Sequence, residues 1–367
     1  MIKAQIEIAD FNNGERVFLT INHQKGINWQ KLIAPYAKPN VLRSIWQIVN
    51  TFVPFFLLWY AAYWSLSISY WLTLPLTAVA AGLLVRIFII FHDCCHGSFF
   101  PSRKTNEVLG TITGIMTCCP FHQWRHNHSV HHATSGNLDR HGTGDIWTLT
   151  VDEYLALPRW KRLAYRLYRN PLIMFGLGPI YIFLIDYRFN RKGARRKERM
   201  NTYLTNVGIA AIAGMLCWAI GWKAFLLVQG PIFLISGWAG VWLFYVQHQF
   251  EGAYYEKDEK WSYVDAALKG SSFYKLPKVL QWFTGNIGFH HIHHLSPRVP
   301  NYYLNRAHEE NQLFQSVKPI KLFSSLKSLK FRIWDEHRKK LMSFRYVKRY
   351  LEDQRNQRNQ RMQGNES

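Results

Sequence analysis

Apolar residues in this chain gather in long unbroken windows instead of recurring at the alternating or helical spacing of a half-buried soluble element. Windows 48–66, 70–91, 203–222 and 224–247 hold one charged residue between them, Arg86. A bilayer core about 30 Å thick is crossed by about 20 apolar residues in helical conformation. The pattern therefore predicts four transmembrane helices. The connectors inside each pair are only residues 67–69 and Lys223, so the helices form two hairpins and the rest of the chain lies on one side of the bilayer. Arg86 stands a turn and a half from the end of its window and is expected to snorkel to the interface.

A fifth apolar window, residues 172–185, is too short to span comfortably and is broken by Gly176, Gly178 and Pro179. It reads as an interfacial or re-entrant helix. Leu322, Leu326, Leu329 and Ile333, interleaved with Lys321, Lys327 and Lys330, predict an amphipathic helix, interfacial or packed on the cap. Residues 1–44 contain no continuous apolar stretch of signal-peptide type and are read as an N-terminal cytoplasmic segment. Residues 45–345 form the membrane domain, and 346–367 a basic, disordered tail.

Charge adds an orientation. Lys and Arg outnumber Asp and Glu 45 to 23, and the excess flanks the predicted spans. Arg159, Lys161, Arg162, Arg166 and Arg169 lie in one such segment, and Arg188, Arg191, Lys192, Arg195, Arg196, Lys197 and Arg199 precede the third span. The positive-inside rule places these segments, both termini and the cap in the cytoplasm of a cell whose plasma membrane holds the spans. Charge that tracks membrane flanks argues against nucleic-acid binding. Five cysteines, with Cys94 beside Cys95 and Cys118 beside Cys119, argue against a disulfide framework and for a reducing compartment.

The chemistry lies in the histidines. Of 16 in the chain, eight fall into three compact groups: His92 and His96 in HDCCH, His128, His131 and His132 in HSVHH, and His290, His293 and His294 in HHIHH. On a helix, residues i, i+3 and i+4 share an arc of about 100°, so each group presents its imidazoles on one face. A single pair at this spacing is ordinary polar decoration. Three such groups in one chain point to a metal centre, and eight imidazoles exceed the six or fewer positions of one ion, so two metals sharing the set is the economical reading. If the groups share one centre, an even number of spans separates the second from the third. Two spans satisfy that; counting 172–185 as another does not. No Glu-x-x-His pairing of the soluble di-iron bundles accompanies the groups, and a zinc hydrolase needs only about three ligands. A histidine-bound pair of irons that activates dioxygen remains the best chemical fit.

HDCCH, HSVHH and HHIHH, in this order after hydrophobic hairpins, resemble the histidine boxes of integral-membrane fatty acid desaturases. The likeness extends through QWRHNHSVHHATSGNLDR, NRKGARRKERMNTYLTN, WLFYVQHQFE and LQWFTGNIGFHHIHHLSPRVPNYYL, covering roughly residues 45–345. It is nearest to bacterial acyl-lipid enzymes, in particular the Δ5 phospholipid desaturases of Bacillus-type organisms, and more distant from plant Δ12 enzymes. The resemblance implies an all-α membrane fold of four helices under a cytoplasmic helical cap, two non-haem iron ions and O2 as co-substrate. It also implies a ninth ligand, His248. Relatives acting on acyl-CoA carry an asparagine four positions before that histidine; here the position is Phe244.

Asp93, Asp139 and Asp145 are candidates for fixing imidazole tautomers. His291 faces away from its neighbours, and His122, His126 and His141 suit supporting or surface roles. Cys94 and Cys95 read as small apolar filler. The implied reaction removes two vicinal hydrogens from an acyl chain of a membrane phospholipid, held in a narrow apolar tunnel that enforces a cis product. No haem, flavin, dinucleotide or iron–sulfur motif is present, so electrons come from an external ferredoxin or flavodoxin, drawn by the basic face. The same charge suits anionic headgroups. The alternatives are a di-iron membrane hydroxylase, a zinc-dependent membrane hydrolase and, ranked last, a metal carrier.

Overall fold

The computed structural model describes residues 4–9, 16–21, 28–140 and 144–352. Residues 353–367 of the expected disordered tail lie outside the described residues, whereas 346–352 are helical, with Val347 buried beside Tyr154 and Tyr165 and the Tyr346 hydroxyl donating to Asp335 Oδ2 at 2.6 Å. The helices that build the site run in chain order: α1 (Val41–Ser65), α2 (Tyr70–His96), α3 (Arg103–Met116), α4 (Phe121–Thr134), α5 (Arg159–Tyr168), α6 (Arg196–Ile220), α7 (Trp222–His248), α8 (His290–Leu295) and α9 (Asn301–Glu309). Among the described residues, α1, α2, α6 and α7 are long and apolar enough to cross a membrane. The two hairpins are those expected from the apolar windows. Asn40 caps α1 by accepting from the Arg43 N–H, and Ser69 caps α2 by accepting from the Trp71 N–H. Gly221, at φ +82°, is the single-residue joint between α6 and α7; a Cβ is strained there.

α2 is the central helix. Its Ala80, Ala81, Leu83, Leu84 and Ile87 pack against Phe55 and Ala62 of α1 and Val228 and Ile232 of α7. The outer faces expose Leu57, Tyr60 and Trp64 of α1 and Val207, Met215 and Trp218 of α6. Apolar side chains left outside on every long helix are what lipid contact requires and water contact penalises. At 27 residues, α2 and α7 are each about 40 Å long, about 10 Å more than the hydrocarbon core needs. The surplus turns carry His92, His96 and His248 into the cap. α2 stops there because Gly97 adopts a left-handed φ of +67° and returns its N–H to the Asp93 carbonyl.

Among the described residues, short helices are joined by three minor two-stranded pairings: Ala4–Ala9 with Arg16–Ile21 antiparallel, Phe273–Lys275 with Pro319–Lys321 parallel, and Ile333–Asp335 with Lys340–Met342 antiparallel. Where α3 meets α4, Gly110 admits the Phe121 ring; a Cβ there would collide with the edge of that ring and lie 3.2 Å from Cys94 Cβ. Overpacking of this kind costs about 1–3 kcal/mol. Gly110→Ala is expected to lower the thermal midpoint of the detergent-solubilised protein, and an unchanged midpoint would mean that the ring has room to move.

Two expectations are corrected. Arg86 does not snorkel: it is buried, its Nε donates to Thr51 Oγ1 at 3.1 Å, its Nη1 donates to the Trp282 carbonyl, and the guanidinium lies 4.2 Å from the Trp282 ring centroid. The reason is its place on the innermost helix, where a ring face and the carbonyl end of the short helix Lys278–Phe283 accept a cation without water. Nor do Leu322, Leu326, Leu329 and Ile333 form one amphipathic helix. Ser324–Lys330 is a 3-10 helix and Ile333 begins a strand. Ser324 and Ser325 turn their hydroxyls onto the Lys321 and Leu322 carbonyls, the local competition that keeps serine from supporting helix interiors, and Ile333 is drawn into a separate core with Tyr154 and Tyr165.

The window 172–185 behaves as a break. A π-helical turn, Leu172–Leu177, leads into a short helix, Gly178–Leu184, and the segment 172–188 is bent by 60° from α5. Asn170 caps the new turn by accepting from the Leu172 N–H, and Pro179 seats on Gly237, where a Cβ would meet it at 2.9 Å. Because α4 and α8 meet in one site, the chain crosses an even number of times between them, and α6 with α7 already supply two crossings.

Candidate metal centre

Five secondary-structure elements end at one point in the cap. α2 delivers His92 and His96, α4 delivers His128, His131 and His132, α7 delivers His248, and α8 delivers His290, His293 and His294; α9 supplies support through Asn301. The imidazoles resolve into two nests. The first is His92, His96, His128, His132 and His293, and the second is His131, His248, His290 and His294. The helical arc seen in the sequence is therefore divided. On α4, residues i and i+4 turn to the first nest and i+3 to the second. On α8, His293 joins the first nest while His290 and His294 join the second.

Within the first nest, His128 Nε2 lies 3.1 Å from His92 Nε2 and 3.1 Å from His132 Nε2, and His132 Nε2 lies 3.0 Å from His293 Nε2. In the second, His131 Nε2 is 3.1 Å from His248 Nε2 and 3.3 Å from His294 Nε2, and His248 Nε2 is 3.0 Å from His290 Nε2. Nitrogens bound to one first-row ion at about 2.1 Å lie about 3.0 Å apart along an octahedral edge. Both nests match that spacing. His96 Nε2 is buried without a hydrogen-bond partner, a cost of about 1–3 kcal/mol unless something accepts its lone pair. The donor set, all neutral nitrogen, suits iron, copper, nickel or zinc. The residues therefore fit a pair of bound metal ions.

The rings are aimed by carboxylates. Asp93 Oδ1 lies 3.1 Å from His92 Nδ1, and its Oδ2 accepts from the Asn301 backbone N–H at 2.7 Å and Nδ2 at 2.8 Å. Gln47 extends the chain, donating from Nε2 to Asn301 Oδ1 at 3.0 Å. Asp145 takes the same part for His131, in contact with its Nδ1. A proton held on Nδ1 by a carboxylate leaves the Nε2 lone pair free toward the nest. Asp139, the third sequence candidate, accepts from the Asp258 N–H at 2.8 Å and belongs to neither nest.

Aromatic rings seal the walls. Trp124 stacks on His128 with centroids 4.2 Å apart and closes on Phe88 and Phe91. Phe244 lies 5.2 Å from the His131 ring and 5.4 Å from His248, so an apolar face stands at the position that drew notice in the sequence. Trp124, Asn301 and Tyr263, whose hydroxyl donates to the His294 carbonyl at 2.7 Å, were not legible as supports: their partners are distant in the chain and their residue types are unremarkable there. His291 is fully buried against Phe273 and His308, outside both nests, and His122 pairs with Glu107 at 3.2 Å. His126 belongs to neither nest, and His141 lies outside the described residues. Cys94 and Cys95 pack among Phe99 and Phe121 as apolar filler.

Burial, reinforced by neighbouring imidazoles, holds His128, His132, His290, His293 and His294 well below the ordinary histidine value of 6.5. With the folded value depressed, the unfolded chain takes up protons first on acidification. The neutral site's contribution is full above about 6.5 and is lost as pH falls below it. Metal-free solubilised protein is expected to melt at a lower temperature at about pH 5 than at about pH 7.5; an equal midpoint would contradict the depressed values.

A model of the family described as fatty acid desaturase matches residues 69–317. A Bacillus subtilis protein named fatty acid desaturase is 64% identical over 318 residues, covering 87% of this chain and 90% of its own. Two Synechocystis proteins are similar at lower identity. An sn-1 oleoyl-lipid 12-desaturase is 28% identical over 65% of this chain and 68% of its own. An sn-1 acyl-lipid omega-3 desaturase (ferredoxin) is 28% identical over 77% of each. Every histidine of the two nests falls inside the matched span, and on that agreement of site and sequence the chain belongs to the fatty acid desaturase family.

Proposed function

We propose that this membrane oxidoreductase introduces a cis double bond into an acyl chain of membrane lipids, at the Δ5 position of phospholipids, in the plasma membrane with both termini and the metal site cytoplasmic. The observation that carries the reading is the pair of imidazole nests; in this reading His92, His96, His128, His132 and His293 would be ligands of one iron and His131, His248, His290 and His294 ligands of the other. Two irons supply, when bound and reduced, the activation of O2 that removal of hydrogen from an unactivated methylene pair demands. Asp93 and Asp145 hold protons on Nδ1 of His92 and His131 and keep those rings oriented. Trp124, Phe88 and Phe91 border the first nest with apolar surface, suited to an acyl chain and hostile to water.

A lipid substrate is supported by the relatives whose names specify acyl-lipid or oleoyl-lipid, and ferredoxin by the one whose name includes it. A ferredoxin or flavodoxin, small and acidic, suits the basic cap. The Δ5 position is supported by the resemblance of the boxes and the stretches around them to the Bacillus-type enzymes. Expression under air in a host lacking unsaturated fatty acids, with such a donor, is expected to yield Δ5-unsaturated phospholipids by mass spectrometry of intact lipids. A fully saturated profile would contradict desaturation, and an added oxygen would identify the hydroxylase alternative.

A further inference from the structure

Arg169, at the C-terminal end of α5, is 1% exposed, and all four of its hydrogen bonds go to neutral acceptors. Nη1 donates to the Trp147 carbonyl at 3.0 Å and Thr148 Oγ1 at 3.2 Å; Nη2 donates to Gln249 Oε1 at 2.6 Å and the Phe331 carbonyl at 3.0 Å. A guanidinium is always charged, and burying it without an anion is costly unless the arrangement needs its fork of donors. The acceptors say what is arranged. Gln249 follows His248, and its Nε2 donates to Thr148 Oγ1 at 3.1 Å and Tyr255 Oη at 2.8 Å. Tyr255 Oη in turn lies 3.4 Å from the His248 carbonyl. Trp147 and Thr148 follow Asp145, which aims His131.

We propose that Arg169 is a positioning residue for the second nest, fastening the segment that bears Asp145 to the end of α7 that bears His248. The first nest is supported elsewhere, through Asp93, Asn301 and Gln47, so loss of Arg169 acts on one nest and spares the other. Lysine cannot replace it, because three donors radiating from one nitrogen do not span acceptors on three separate segments.

This inference rests on the nests holding metal, and the test separates the two ideas. Full-length protein purified in detergent, stripped and reloaded anaerobically with Fe(II), is assayed for iron per chain. Arg169→Lys is expected to lose about half the iron of the wild type, supporting partners of metal ligands being worth about 10–100-fold in affinity. In a His290→Ala background it removes no more; in a His96→Ala background it removes the remainder. Gln249→Leu reproduces the loss and carries the test should Arg169→Lys fail to accumulate, whereas Gln249→Glu, which keeps an acceptor for Nη2 but gives up the Nε2 donations to Thr148 and Tyr255, loses less iron than Gln249→Leu. Full iron in Arg169→Lys and Gln249→Leu, or equal loss from both nests, overturns the proposal while leaving the metal reading intact. Wild-type protein that takes up no iron overturns both.

Discussion

His132→Ala is expected to abolish desaturation, leaving less than about 1% of wild-type product, while the protein still inserts in the membrane. His132 lies at the centre of the first nest, with its Nε2 within 3.1 Å of His128 Nε2 and 3.0 Å of His293 Nε2, and its ring stacks 4.1 Å from His294 of the second nest. Truncation opens a cavity between the nests as well as deleting a nitrogen. Lipid-facing packing on α1 and α6 is remote from it, so membrane insertion is unaffected. Product analysis beside membrane fractionation checks the prediction; retained activity would remove His132 from the ligand set. His294→Ala is expected to behave alike through the second nest.

Asp145→Leu carries the second large effect. The carboxylate is the partner of His131 Nδ1, and His131 Nε2 meets both His248 and His294. Without that acceptor the ring is free to rotate and to move its proton to Nε2, where it blocks ligation. Losses for removing such a carboxylate run to about 10–100-fold in metal affinity or activity. Competition with a chelator measures the change directly, and Asp145→Asn, which keeps an oxygen for Nδ1, is expected to fall between Leu and the wild type. Equal affinity in all three would show that other contacts orient His131.

The long elements were legible because lipid imposes a simple rule: spanning residues are predominantly apolar, and the windows announce themselves. Ligand spacing was equally plain, since i, i+3 and i+4 on helices are read directly from the chain. The division of the boxes between two nests was not, because whether His131 turns away from His128 and His132 depends on where α7 and α8 arrive. Arg86 was misread for a related reason. Its depth in the sequence window said interface, whereas its acceptors, Thr51 and the Trp282 carbonyl, come from elements 35 and 196 residues away. The C-terminal segment misled because a leucine pattern at helical spacing ignores serine hydroxyls competing for the same carbonyls. Asn301 and Arg169 exert their influence through partners 208 and 80 residues distant, a relation that only folding creates.

The central claim is that nine imidazoles hold two irons, and metal analysis of active, purified protein tests it most directly. Plasma mass spectrometry on detergent-extracted enzyme that desaturates lipid with a supplied electron donor is expected to find about two irons per chain, matching the two nests. Active enzyme devoid of iron, or carrying stoichiometric zinc in its place, would contradict the account.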